Sequence, residues 1–305
     1  MKNNFGKALA LGIVGAFFFA FNFILIRAMN LGGGYFLWTA SLRYIFTLPM
    51  MALLVWRSKG MTQVLESIKA KPGKWFLWST VGFGLFYAPL SAASVYGESW
   101  FTAAIWQFTI VAGVLLTPLF GAKIPKKNLM CSFLIVAGIL LMQFSKIREG
   151  VEANWGMLIL MMGIAAFSYP LGNRKMMQVI DGDGLTTVQR IFGMSLCSMP
   201  FWIICAIASG LKAGAPAASQ CLQAFLVALL AGVIATILFF RATDMTKHDQ
   251  KQLAVIEATQ SGEVIFTLIL GVLLLHDAAP DAMGLAGIVI IVIGMVLNSF
   301  MAMGS

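Results

Sequence analysis

Charge is scarce in this chain: 11% of its 305 residues are Asp, Glu, Lys or Arg, against 60% hydrophobic. A soluble domain carries roughly a quarter charged residues, so a surface wholly in contact with water is excluded. Histidine is nearly absent. His248 and His276 stand at opposite ends of apolar segments, and no HExxH, GxSxG or paired His/Asp pattern occurs. A membrane enzyme would need a nucleophile with a base, or a metal-ligand cluster, and neither is present. There is no P-loop, so ATP is not the direct energy source. The cysteines Cys131, Cys197, Cys205 and Cys221 lie singly in apolar runs without a CxxC pair. They read as small buried hydrophobes, and neither a metal site nor a cofactor is implied.

What is present is a series of apolar runs about 20 residues long, the length of a helical span and too long for an outer-membrane strand. Splitting the chain at its charge and Pro/Gly clusters gives ten candidate helices, near 7–27, 35–56, 75–96, 100–121, 128–146, 155–175, 184–209, 220–242, 252–275 and 282–303. The expected fold is an all-α integral membrane protein. Lys2 and Lys7 precede the first run as in a signal peptide, but no small-residue cleavage site follows, so it reads as a retained span. Arg57, Lys59, Lys69, Lys71, Lys74, Lys123, Lys126, Lys127, Arg174, Lys175, Lys247 and Lys251 fall in loops of one side. The other side holds Arg27, Lys146, Arg148 and Lys212. This bias places both termini in the cytoplasm. It accounts for the net charge of +9 together with anionic lipid headgroups, with no role for nucleic acid.

The halves 1–150 and 151–305 resemble each other. "GAFFFAFNFILIRAM" from Gly15 aligns with "GIAAFSYPLGNRKMM" from Gly163 at an offset of 163 − 15 = 148. Arg43 and Pro49 have counterparts in Arg190 and Pro200, and Gln107 has a looser one in Glu257. Five spans per half would set the halves in opposite orientations. Such inverted repeats carry a substrate site near mid-membrane.

The ten spans, the repeat and the basic loop after the second span resemble the drug/metabolite transporter superfamily along the whole chain. "VGFGLFYAPL" (Val81–Leu90), "YPLGNRKMM" (Tyr169–Met177), "GVIATILFFRATD" (Gly232–Asp244) and "EATQSGEVIF" (Glu257–Phe266) are similar to its ten-span bacterial multidrug resistance efflux branch. The resemblance implies a secondary carrier of the bacterial cytoplasmic membrane. It would export small, mainly cationic lipophilic compounds by alternating access, in exchange for protons. Amino acids or related metabolites are the alternative cargo, and a non-transporting membrane subunit is a further alternative. With both halves in one chain, a monomer is expected. There is one departure. The related four-span small multidrug resistance proteins carry a glutamate in their first helix that binds proton and drug in turn. Here Asn22 occupies the middle of the first span, and Pro170 the repeat-equivalent position.

Another acid must then serve, and the ninth span supplies Glu257 and Glu263. Carboxylates inside a membrane are costly, so they are rare and usually functional. At 100° per residue, Glu257, Gln260, Glu263 and Thr267 share a broad flank, while Ala258 and Gly262 form a small surface on the other. The alternative for the acids is a buried ion pair with Arg43 or Arg190. Those arginines in turn read as gate or counter-charge residues, as binders of an anionic group, or as cations snorkelling to the interface. Trp106, Gln107 and Tyr169 stand out as pocket residues because they neighbour polar or helix-breaking positions. Pro170 and Gly172 suggest a kink in the sixth span. Arg241 and Asp244 are expected to pair, Glu98 to be solvated, and Trp38 and Trp100 to anchor at the interface.

Overall fold

The computed structural model describes residues 2–148, 150, 154–246 and 249–301. Lys247 and His248, which entered the reading above, lie outside them. The described residues are helical, without strands. The helices are α1 (Lys2–Leu31), α2 (Phe36–Arg57), α3 (Met61–Ala70), α4 (Pro72–Tyr96), α5 (Ser99–Leu115), α6 (Lys126–Arg148) and α7 (Trp155–Val179). They continue with α8 (Thr187–Cys197), α9 (Met199–Ala213), α10 (Ala218–Thr246), α11 (Lys251–Leu275) and α12 (Ala282–Met301). Eight of these are long and apolar enough to cross a membrane, and α8 with α9 makes a ninth if that pair, bent by 46°, is one span. α5 is apolar but shorter. Met130, Phe133, Leu140, Ile204, Leu211 and Leu273 stand exposed around the outside, an apolar surface that suits lipid and no aqueous protein.

Local chemistry sets where helices start and stop. α8 begins with a capping box, in which the Thr186 hydroxyl accepts from Gln189 N and the Gln189 side chain accepts from Thr186 N. Asp249 caps the start of α11 by accepting from Lys251 N and Gln252 N. His276, with φ at 53°, ends α11 in the left-handed conformation.

Between helices in lipid the attraction comes from close packing, which small residues permit. A Cβ on Gly138 of α6 would lie 2.6 Å from the Gly287 carbonyl oxygen of α12. Gly82 of α4 and Gly172 of α7 likewise meet backbone to backbone. Gly172 is thus a close packing contact between α4 and α7. α7 runs unbroken through Pro170. The missing Pro170 N–H frees the Ala166 carbonyl, and the Thr109 hydroxyl donates to it at 3.2 Å, which is how a membrane helix absorbs a proline. A bend of 46° lies between α8 and α9, beside Pro200.

Two further irregularities point inward. α4 contains a π-helical stretch at Thr80–Gly84 and α10 another at Ala228–Ala235. Such stretches are frequent at functional sites.

One end of the bundle carries α3 and the 180–186 loop. There Lys71 pairs with Asp183 at 3.2 Å, and the Ser67 hydroxyl donates to Asp183 at 2.5 Å. The Ser67 hydrogen bond, followed by Lys71, holds the Asp183 carboxyl below its ordinary range. The other end is tied more heavily. Asp277, on the loop after α11, accepts from Ser99 N at 2.9 Å, from the Ser99 hydroxyl at 2.5 Å and from Arg27 Nε at 3.4 Å. Buried Lys146 donates to Glu98 at 2.8 Å, the Ser145 hydroxyl to Asp281 at 2.5 Å, and Trp100 Nε1 to the Ala278 carbonyl at 2.9 Å. Glu98 is thus ion-paired where solvation was expected, and Trp100 is 1% exposed where an interfacial anchor was expected. Each pairs with a residue distant in sequence, which local reading does not reveal. Arg241 and Asp244, expected to pair, are both exposed and form no ion pair among the described residues.

Candidate functional site

A cavity of about 290 Å³ lies inside the bundle, lined from α1, α2, α4, α5, α7, α8, α10 and α11. It takes Arg190 from the first turn of α8, Asn173 from near the end of α7, and Gln260 and Glu263 from the first half of α11. These lie toward the end that carries α3. The heavily tied end is beyond it.

Of the nine residues singled out from sequence, eight line this cavity: Asn22, Arg43, Trp106, Gln107, Tyr169, Arg190, Gln260 and Glu263. Glu257 is not among the residues that line this cavity and is exposed on α11. A 3₁₀ turn at Thr259–Ser261 lies between the two acids. The small flank of α11 packs on α1, where a Cβ on Gly262 would sit 3.6 Å from the Ala16 methyl.

Asn22 is the hub of one wall. Its side-chain oxygen accepts from Arg43 Nη1 and from the Tyr87 hydroxyl, each at 2.8 Å. The Arg43 guanidinium also lies 4.0 Å above the Tyr87 ring, a cation–π contact. An amide can hold a guanidinium this way without being a charge itself. The opposite fate befalls Arg190: its Nε is buried without a hydrogen-bond partner among the described residues, and so is the Ser195 hydroxyl, also on α8. Glu263 forms no ion pair with Arg43 or Arg190, the pairing weighed from sequence.

Another wall is aromatic. Phe86, Trp106 and Tyr169 form a triangle of rings with centroid separations of 4.9, 4.9 and 5.6 Å. Such edge and tilted contacts are favourable in themselves and leave ring faces for a ligand. Sequence reasoning passed over Tyr87 among many aromatics, and Asn173 although it lies within the quoted "YPLGNRKMM". Ser195 carried no signal, because a serine in an apolar helix usually bonds back to its own backbone. Among the described residues no cluster of three His, Cys, Asp or Glu could hold a metal, and the free cysteines are buried or half-buried.

An all-helical membrane bundle around a charged, ring-walled cavity is the architecture of a small-molecule carrier. The family model described as "EmrE: Putative multidrug resistance efflux transporter" matches residues 6–303, and the chain belongs to that family, a non-enzymatic transporter family within the drug/metabolite transporter superfamily. It is 45% identical to "Uncharacterized protein YjlA" of Bacillus subtilis (strain 168), over 96% of this chain and 94% of that protein. It is 41% identical to "Uncharacterized 42.1 kDa protein in intracellular alkaline protease 3'region" of Shouchella clausii, over 84% of this chain and 70% of that one. A solved structure titled "Crystal structure of protein" superimposes with a TM-score of 0.65 at 11% identity, covering 97% of this chain and 98% of that chain. That likeness concerns the fold alone. The family makes the chain a multi-pass membrane protein of the efflux, drug/metabolite type.

Proposed function

We propose that the chain is a secondary-active exporter in which Glu263 exchanges a proton for cargo by alternating access. The observation that carries this reading is the state of Glu263: a carboxylate within a span, facing a cavity, with no ion pair among the described residues. A carboxylate serving structure inside a membrane is paired, because an uncompensated buried charge is costly. One left facing a cavity is free to take up a proton when the site is empty and to release it when cargo arrives.

The two halves, 1–150 and 151–305, are proposed to form an inverted repeat meeting at this cavity. Eight helices are long enough to cross and the bent pair makes a ninth; counting the shorter α5 as a further crossing would give ten. The π-helical stretches begin at Thr80 and Ala228, and 228 − 80 = 148, the offset found in the sequence. Arg43 and Arg190, counterparts in the repeat, face the same cavity from α2 and α8. The cation bias of the loops supports cytoplasmic termini in a bacterial cytoplasmic membrane, and so a cavity approached from the cytoplasm. Cargo would enter there, displace the proton of Glu263, and leave once the tied end opens and a proton returns from outside. A single chain contains both halves, so a monomer suffices.

The aromatic walls and Glu263 support small cationic lipophilic compounds as cargo. The two guanidinium groups support a second reading, amino acids or related metabolites. Proteoliposomes enclosing a pH-sensitive dye test the carrier directly. The account expects proton movement that depends on an added compound of one of these classes. Proton movement indifferent to every such compound, as for a non-transporting subunit, would sink it.

A further inference from the structure

Resting on the inverted repeat of the carrier reading, we propose that Lys175 and Asp249 form the contact that closes the α3 end of the bundle when the tied end opens. The tied end joins Arg27 of α1 to Ser99, the first residue of α5, through one carboxylate. Asp277 accepts from Arg27 Nε at 3.4 Å, from Ser99 N at 2.9 Å and from the Ser99 hydroxyl at 2.5 Å. Alternating access in such a carrier moves one half against the other around the site. Halves that exchange conformations exchange their closing contacts, so each contact at one end predicts a counterpart at the other. The α1 offset, 175 − 27 = 148, carries Arg27 onto Lys175. The offset that relates Gln107 to Glu257, 257 − 107 = 150, carries Ser99 onto Asp249.

These two counterparts are not joined. Lys175 lies 5.0 Å from the Phe120 ring centroid and donates to Gln178 Oε1 at 3.3 Å. Asp249 is exposed and accepts from its own helix start, from Lys251 N at 3.0 Å, Gln252 N at 3.1 Å and Gln252 Nε2 at 2.9 Å. Asp277 and Asp249 thus each bond the first backbone N–H groups of a helix that lines the cavity. Asp277 also has a cation, and among the described residues Asp249 has none. The helices repeat the difference. α1 packs on the first half of α5, whereas α7 and α11 meet at most slightly among the described residues. Asn173 and Gln260, from those two helices, line the cavity at this end. The charges balance as well. The 116–125 loop after α5 has no acid to match Asp277, and the acid stands instead at the Ser99-equivalent position. Each end then has one cation and one carboxylate to join. Arg174 is engaged elsewhere, its Nη1 donating to the Gly113 carbonyl at 2.6 Å. An ion pair near water is weak, which suits a contact that must break in every cycle.

Cysteines at the two positions, Lys175→Cys with Asp249→Cys, test the closure in the full chain in vesicles, with the native cysteines replaced by alanine. A disulfide needs Cα atoms within about 7 Å, so an oxidant traps the pair only when this end closes. Asp277→Asn, which loosens the tied end, should speed that cross-link about tenfold, because contacts closing opposite ends compete in one equilibrium. Arg27→Gln loosens it from the other partner and serves where Asp277→Asn fails to fold. The cross-linked protein should stop moving protons with tetraphenylphosphonium or L-phenylalanine, one probe of each cargo class, and reductant should restore the movement. Without any cysteine, Lys175→Gln should slow that movement about threefold and Lys175→Arg should keep it, the loss expected of one weak ion pair. No cross-link in any background, a rate indifferent to both loosening variants, or proton movement unaffected by the cross-link would overturn the proposal. The cross-link needs no cargo, so the two readings fail separately. If it forms on loosening while neither probe moves protons, the carrier reading falls and the closure stands.

Discussion

The cavity and the tied end of the bundle contain similar charges and treat them in opposite ways. At the tied end Asp277, Glu98 and Asp281 each accept a close hydrogen bond from a residue of the first half of the chain. In the cavity, among the described residues, Glu263 has no ion pair and Arg190 Nε has no acceptor. A charge satisfied in a water-poor interior holds helices together, and one left unsatisfied is tolerated only where a ligand or proton completes it. The contrast assigns structure to one region and traffic to the other.

The largest effect should come from breaking the tied end. Asp277→Ala strands Arg27 and the Ser99 N–H, and is expected to lower unfolding stability by about 3–5 kcal/mol. Melting of the detergent-solubilised protein measures it, and a loss below about 1 kcal/mol would erase the contrast between the regions. Next is the wall of the cavity that resembles the tied end most. Asn22→Ala frees Arg43 and Tyr87 together and should cost about 1–3 kcal/mol, with altered ligand selectivity as the second readout.

Smaller still is the Lys71–Asp183 contact. The Asp183 carboxyl is held below its ordinary range, so its stabilisation is complete above the unfolded value near pH 4 and is lost as pH falls through the lower folded value. Asp183→Asn should therefore melt earlier than wild type at pH 7, by a few tenths to about 1 kcal/mol for this partly exposed pair, and the gap should close toward pH 3. A gap that widens in acid would reverse the sign. Smallest is Glu257→Gln, which removes a carboxylate that does not line the cavity and should leave ligand affinity within about twofold of wild type.

How much of this was legible in the sequence follows the same division. Polar residues inside apolar runs have nowhere to go but inward, and so Asn22, Arg43, Trp106, Gln107, Tyr169, Arg190, Gln260 and Glu263 all reached one cavity. Helical phase was the weak step: it grouped Glu257 with Glu263, whereas a 3₁₀ turn at Thr259–Ser261 separates them and Glu257 does not line the cavity. The tied end was hidden because its partners, Ser99 at the start of α5 and Asp277 in the loop after α11, are 178 residues apart. At Pro170 a helix read alone loses a hydrogen bond. Thr109, from a different helix, fills the vacant acceptor. The helix positions were largely readable, and the polar contacts between them were not.

The central claim is that Glu263, and not Glu257, exchanges a proton for cargo. Transport driven by an imposed pH gradient in proteoliposomes, compared for Glu263→Gln and Glu257→Gln, tests it most directly. The account predicts that Glu263→Gln loses gradient-driven transport by about a hundredfold, equivalent to about 2.7 kcal/mol, while Glu257→Gln stays within about twofold of wild type. Undiminished gradient-driven transport in Glu263→Gln would contradict it.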